Sequence, residues 1–83
     1  MAHILIIDDD PLVSETIANV VRRMGHQATC AFNLHDGLEK TFSDEMDIVF
    51  LDVRLPDGNG LDVLPRIQAA PSSPEVIIMT GYG

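Results

Sequence analysis

Three carboxylates and a hydroxyl occupy the same kind of place in this chain. Asp8 and Asp9 follow Ile4-Leu5-Ile6-Ile7, Asp52 follows Ile48-Val49-Phe50-Leu51, and Thr80, with Gly81 behind it, follows Val76-Ile77-Ile78-Met79. Taken singly, an aspartate at the end of an apolar run is a helix or turn cap. Three of them, each after a run that reads as a buried strand, point to function instead. Carboxylates packed together raise one another's pKa, so protons or a metal must neutralise them. Hard oxygen ligands at a small site suit a divalent cation of the magnesium type, which keeps waters and often a phosphate oxygen in its shell. A magnesium-assisted phosphoryl acceptor with a carboxylate nucleophile follows.

The segment after Asp52, Asp52-Val53-Arg54-Leu55-Pro56-Asp57-Gly58-Asn59-Gly60, offers a rival reading, because DGNG is a frequent part of calcium loops. An EF-hand loop needs ligands at its first, third and fifth positions, glycine at the sixth and a bidentate glutamate at the twelfth. That register puts Leu55 first and Arg66 twelfth, and it fails at both ends. Asp57 and Asn59 are then turn residues, with Gly58 and Gly60 supplying permissive backbone.

These groups need elements that bring them together. The apolar runs before Asp8 and Asp52 do not alternate with polar residues, as expected of strands covered on both faces of a parallel sheet, and Val76 to Met79 before Thr80 is a fourth strand, expected at an open edge. Between the first two lies a helix opened by Asp10 as N-cap and Pro11 at the first helical position. Its apolar stripe is Val13, Ile17, Val20, Val21 and Met24, and Gly25 stops it. Residues 27 to 32 alternate Ala28, Cys30 and Phe32 against Thr29 and Ala31, predicting a short half-buried edge strand. Asn33 caps a second helix with Leu34, Leu38 and Phe42 on its inner face. A third helix carries Leu61, Leu64 and Ile67 to about Ala70, with Pro65 one turn in and a bend or late start expected there. Pro71-Ser72-Ser73-Pro74 is a loop. Strands alternating with helices of this length imply right-handed crossovers and an α/β, doubly wound parallel sheet. Ligands bind such sheets beyond the carboxyl ends of the strands.

Composition excludes several classes. The 83 residues make one domain whose short chain buries only about 60 to 65% of its unfolded surface. Thirteen acids against five bases give a formal charge of −8, which argues against direct nucleic-acid binding by this segment. There is no apolar run of roughly 18 residues and no basic-plus-apolar leader, so neither membrane span nor secretory signal is read and a cytoplasmic location is expected. Cys30, the lone cysteine, is assigned to strand packing, and His3, His26 and His35 to surface or loop roles.

ILIIDDDP, DIVFLDVRLPDGNGLDVL and VIIMTGYG together resemble the motifs of the receiver domain of two-component response regulators, in the family's order and spacing. The resemblance covers residues 1 to 83 and implies a flavodoxin-like fold with strand order 2-1-3-4. It also implies that Asp52 accepts a phosphoryl group from a sensor histidine kinase. Asp8, Asp9, Asp52 and the backbone carbonyl of Arg54 would hold Mg2+. Thr80 would turn toward the new phosphate and switch an output domain, and Pro56 and Gly60 would set the turn behind the acceptor. Asp10, placed before Pro11, is read as a cap and not as a ligand. The TGYG ending and the LPDGNGLDVLPRI run are similar to receivers of enhancer-binding transcription activators.

Family members have a fifth strand carrying a lysine and an aromatic switch residue, and this sequence ends after the fourth. Lys40, its only lysine, falls in the second helix. The expectation is therefore a receiver domain incomplete at its C-terminus, a fragment or the ordered part of a longer chain, stabilised by self-association or strand exchange. The alternative is a fold-retaining protein-interaction module, or a remnant, that takes no phosphate. An enzyme is not expected. Phosphohydrolases with an aspartyl nucleophile use a general acid two residues further on, and that position is Arg54.

Overall fold

The computed structural model describes residues 1–80, and Gly81 and the rest of the TGYG ending lie outside the described residues. The elements run β1 (His3–Ile7), α1 (Pro11–Arg23), β2 (Gln27–Ala31), α2 (Leu34–Ser43), β3 (Ile48–Asp52), β4 (Arg54–Leu55), β5 (Gly58–Asn59), α3 (Gly60–Gln68) and β6 (Glu75–Met79). Four parallel strands form one sheet in the order β2-β1-β3-β6, and β4 and β5 pair antiparallel as a separate hairpin. With that hairpin set aside, the order is the expected 2-1-3-4.

The unbroken apolar runs of β1 and β3 follow from cover on both faces, whereas Ile77 and Ile78 of β6 at the sheet edge are exposed. Leu5 and Ile7 of β1 and Val49 and Leu51 of β3 point into one core with Leu34, Met46 and Ile67, on the side of α2 and α3. Ile4 and Ile6 point into the other, against Ala18 and Val21 of α1, with Ile48 and Phe50 packed beside them. A fully buried Leu or Ile contributes about 1.5–3 kcal/mol, so these alternating positions carry much of the stability of so small a domain. β2 is the edge strand expected, but it is not covered on one face only. Ala31 joins the first core, Ala28 and Cys30 pack on the second, and Phe32 lies beyond the strand and is exposed.

The helical faces differ from the expected stripes. α1 buries Ser14, Ala18 and Val21, while Val13, Val20 and Met24 are exposed. Small side chains let the helix approach the sheet closely, and the larger apolar residues are displaced to its flanks. In α2 the buried residues are Leu34, Gly37 and Thr41, and Phe42 is exposed. A Cβ at residue 37 would come within 2.6 Å of Ile7 Cδ1 and would require the Ile7 side chain to shift, so glycine lets this face of α2 sit close to β1. α3 starts at Gly60 and continues through Pro65 without a late start; Ile67 is its buried anchor, and Leu61 is exposed.

Both ends of α1 follow the sequence reading, whereas α3 ends at Gln68, short of the expected Ala70. Asp10 Oδ1 accepts from Leu12 N at 2.9 Å, with Pro11 as the first helical residue. After Met24, Gly25 takes a positive φ of 89°, a left-handed turn that favours glycine.

Candidate functional site

The sheet order places a switch point between β1 and β3. The chain leaves β1 for β2 on one side and returns through α2 to β3 on the other, so the connections part at the carboxyl ends of these two strands. A crevice opens there in doubly wound sheets, and it receives the ligand. In this chain it is a cavity of about 350 Å3, and Asp8, Asp9, Asp52, Arg54 and Thr80 all line it. Val13 of α1 completes one wall.

Asp8 leaves β1 with its N–H donated to Ala31 O of β2 at 3.0 Å. Its carbonyl accepts from Ser14 Oγ at 3.2 Å, and its Oδ1 accepts from Asp10 N at 2.9 Å. The side chain is thereby held at the start of α1 and is nearly buried, at 7% exposure. Asp9 beside it is exposed. Asp52 ends β3 half-buried, and its Oδ1 accepts from Arg54 N at 3.3 Å. Carboxylate oxygens of Asp8, Asp9 and Asp52 lie within 4.8 Å of one another. Thr80, exposed, follows β6 on the same rim.

Burial pushes the Asp8 carboxyl above the usual carboxylate range, and the charges of Asp52, Asp9 and Asp10 push it further. The hydrogen bond from Asp10 N acts in the opposite direction. A site of this kind gains from a cation. Its donors are all hard oxygens, the set suited to a magnesium-type ion, so the residues present fit that group. All four side-chain positions picked out by the sequence are brought together, and Arg54 joins them through the loop after β3.

That loop is more structured than the turn expected of it. Gly60 N donates to Val53 O at 2.7 Å and closes its base, and β4 pairs with β5 above. Gly60 is glycine for a reason other than the permissive backbone expected: a Cβ there would collide with the backbone carbonyl of Asp52. Asn59 is no mere turn residue, because its Oδ1 accepts from Leu61 N and caps α3. Asp57, also read as a turn residue, accepts from Leu34 N at 2.8 Å and His35 N at 2.9 Å at the start of α2. These two N–H groups hold its carboxyl below the ordinary range. No local pattern announces this bond, which joins residues 22 and 23 positions apart.

Groups given no chemistry lie away from the rim. Lys40 Nζ donates to Cys30 O at 2.8 Å, and Cys30 is half-buried with its thiol pushed up chiefly by burial. His26 Nδ1 accepts from Ala2 N, His3 bonds Thr29 Oγ1, and His35 pairs with Glu39 at 4.0 Å.

The model of the response regulator receiver domain matches residues 4–83. The response regulator protein PilR of Pseudomonas aeruginosa is 34% identical over 79 residues, which cover 95% of this chain and 18% of PilR. The chain thus spans less than a fifth of that relative. Among solved structures, a CheY-like receiver domain from Methanospirillum hungatei superposes with a TM-score of 0.93 at 25% identity, over 100% of this chain and 66% of the other. The response regulator TrrA of Thermotoga maritima, solved with Mg2+ and BeF, gives 0.90 at 31% identity, over 100% and 72%. TrrA has also been solved in complex with the histidine kinase ThkA.

Proposed function

Because this chain belongs to the response regulator receiver domain family, we propose that it is a phosphoacceptor module of a two-component system, phosphorylated on Asp52 by a sensor histidine kinase. The observation that carries the reading is the trio of carboxylates within 4.8 Å at the ends of two neighbouring strands, with Thr80 on the same cavity. An Asp52 oxygen attacks the phosphorus of a phosphohistidine. The O–P bond forms as the P–N bond breaks, and the bonding pair leaves on the imidazole nitrogen, which takes up a proton. Asp8, Asp9, Asp52 and the Arg54 carbonyl would hold Mg2+, which when bound offsets the charge of carboxylates and phosphoryl oxygens.

The remaining residues orient and transmit. Asp8 is fixed by Ser14 and Asp10, so the acid cluster is preorganised on α1. Thr80, on the same cavity as Asp52, would turn toward a phosphate there and so report it to an output domain. The TrrA–ThkA complex supports a kinase as partner. The module accepts phosphate and is not itself an enzyme acting on phosphate esters, since Arg54 stands where such an enzyme would carry its general acid.

Three further assignments complete the proposal. The module belongs with the receivers of enhancer-binding activators, on the LPDGNGLDVLPRI run and the TGYG ending. It works in the cytoplasm; among the described residues no helix is long and apolar enough to cross a membrane. Self-association through β6, whose Ile77 and Ile78 are exposed at the sheet edge, is included; sedimentation independent of concentration would remove it.

Phosphotransfer from a labelled kinase domain tests the core of the reading. Label should pass to the wild type in Mg2+ and not to Asp52→Asn. A wild type that takes no label from any phosphorylated histidine donor would favour an interaction module that has kept only the fold.

A further inference from the structure

The loop that carries Arg54 is pinned at its far end to α2, a helix whose first residues stand 22 and 23 positions earlier in the chain. Its base is closed by the Gly60–Val53 bond, its middle by the β4–β5 ladder, and its tip by Asp57 on the first N–H groups of α2. Asn33, the N-cap of α2, accepts from Asp36 N with its side chain and from Gly37 N with its carbonyl. Asp57 and Asn33 therefore divide the donors of the first turn, two to Asp57 and one to the cap side chain. The positive end of the helix dipole adds to the attraction for the Asp57 carboxylate. Leu55 packs on the core beneath, so the hairpin is seated between an apolar contact and a charged one.

We propose that Asp57 is a positioning residue for the metal and phosphoryl site, holding the β4–β5 hairpin so that Arg54 presents its backbone to the rim. The inference rests on the reading of Asp52 as phosphoacceptor and of the Arg54 carbonyl as a metal ligand. Asp57 touches neither ion nor phosphate. It acts by fixing the segment three residues after Arg54 to a rigid helix, as outer-shell partners fix ligands in metal sites. Releasing the tip removes the charged half of the hairpin's seat and leaves its base, its ladder and Leu55 in place, and the Arg54 backbone then samples orientations that do not serve the ion.

The test compares Mg2+ affinity and phosphorylation by acetyl phosphate in the full chain for wild type, Asp57→Ala, Asp57→Asn and Asn33→Ala, well below their melting temperatures. Asp57→Ala should raise the Kd for Mg2+ about tenfold, the lower end of what losing an outer-shell partner costs. Its phosphorylation should slow at low Mg2+ and recover at saturating Mg2+. Asp57→Asn, which keeps one acceptor oxygen, should fall between. Asn33→Ala weakens the same helix start without touching the hairpin, and it should lower the melting temperature while leaving the Kd within twofold. An Asp57→Ala protein that melts lower but binds Mg2+ as the wild type does would overturn the inference alone. An equal loss of affinity in Asn33→Ala would overturn it too, by showing a general effect of α2. A wild type that binds no Mg2+ would remove the underlying reading and the inference with it.

Discussion

Two regions of this small domain hold carboxylates, and the fold treats them in opposite ways. At the ends of β1 and β3 it crowds Asp8, Asp9 and Asp52 within 4.8 Å and nearly buries the first. At the tip of the β4–β5 hairpin it gives Asp57 two backbone N–H groups at the start of a helix. Burial and like charges raise the pKa of Asp8, and hydrogen bonds lower that of Asp57. An acid whose charged form the fold satisfies is part of the architecture. An acid whose charged form the fold penalises is a candidate for function, and under the proposed function Asp8 meets a cation and a phosphoryl group.

The contrast is broken most severely at Asp8. Asp8→Asn removes a proposed metal ligand and should weaken Mg2+ binding by more than the roughly 10- to 100-fold typical of losing an outer-shell partner. The same change relieves repulsion, so the metal-free protein should melt higher than wild type. Calorimetry in the presence and absence of Mg2+ reads both signs, and a variant that melts lower without metal would contradict the account of Asp8.

Gly60 joins the two regions, since it caps the base of the hairpin against the Asp52 carbonyl. Gly60→Ala forces a Cβ into that carbonyl, and overpacking of this kind costs about 1–3 kcal/mol. Urea unfolding should show the loss, with slower phosphorylation because Asp52 itself is displaced. Unchanged stability would mean that the turn yields freely.

The smallest effect is on pH dependence, and it separates the two acids by sign. Asp8, raised in the folded state, contributes stability that is full below its ordinary value of 3.8 and is lost as pH rises through the raised value. Asp57, lowered, contributes stability present above 3.8 and lost as pH falls through the depressed value. Metal-free melts across pH should therefore lose the decline above 3.8 in Asp8→Asn and the acid-side loss in Asp57→Asn. Identical pH profiles in the two variants would show that these groups do not set the limbs.

What could be read in advance follows from the range of the interactions. Asp8, Asp52 and Thr80 were legible because each ends a continuous apolar run, and a parallel sheet sends all such ends to one side. Asp10 was legible because a cap and its proline are local. The face of α1 was not, because Ser14 and Ala18 are buried for being small, a property that hydrophobic spacing passes over. Phe42 shares the four-residue spacing of Leu34 and Leu38, yet α2 buries Leu34, Gly37 and Thr41 and leaves Phe42 exposed. Asp57 has no local signal, since its partners belong to another helix. Asn59 was missed for a different reason, since its partner Leu61 N is local but the residue was assigned to the turn before it.

The central claim is tested most directly by the intact mass of the full chain after incubation with acetyl phosphate and Mg2+, with Asp52→Asn beside it and peptide mapping of the product. The account predicts one added phosphate on Asp52, dependent on Mg2+ and missing in the variant. A phosphate retained in Asp52→Asn, or a wild type that gains none at saturating Mg2+, would contradict it.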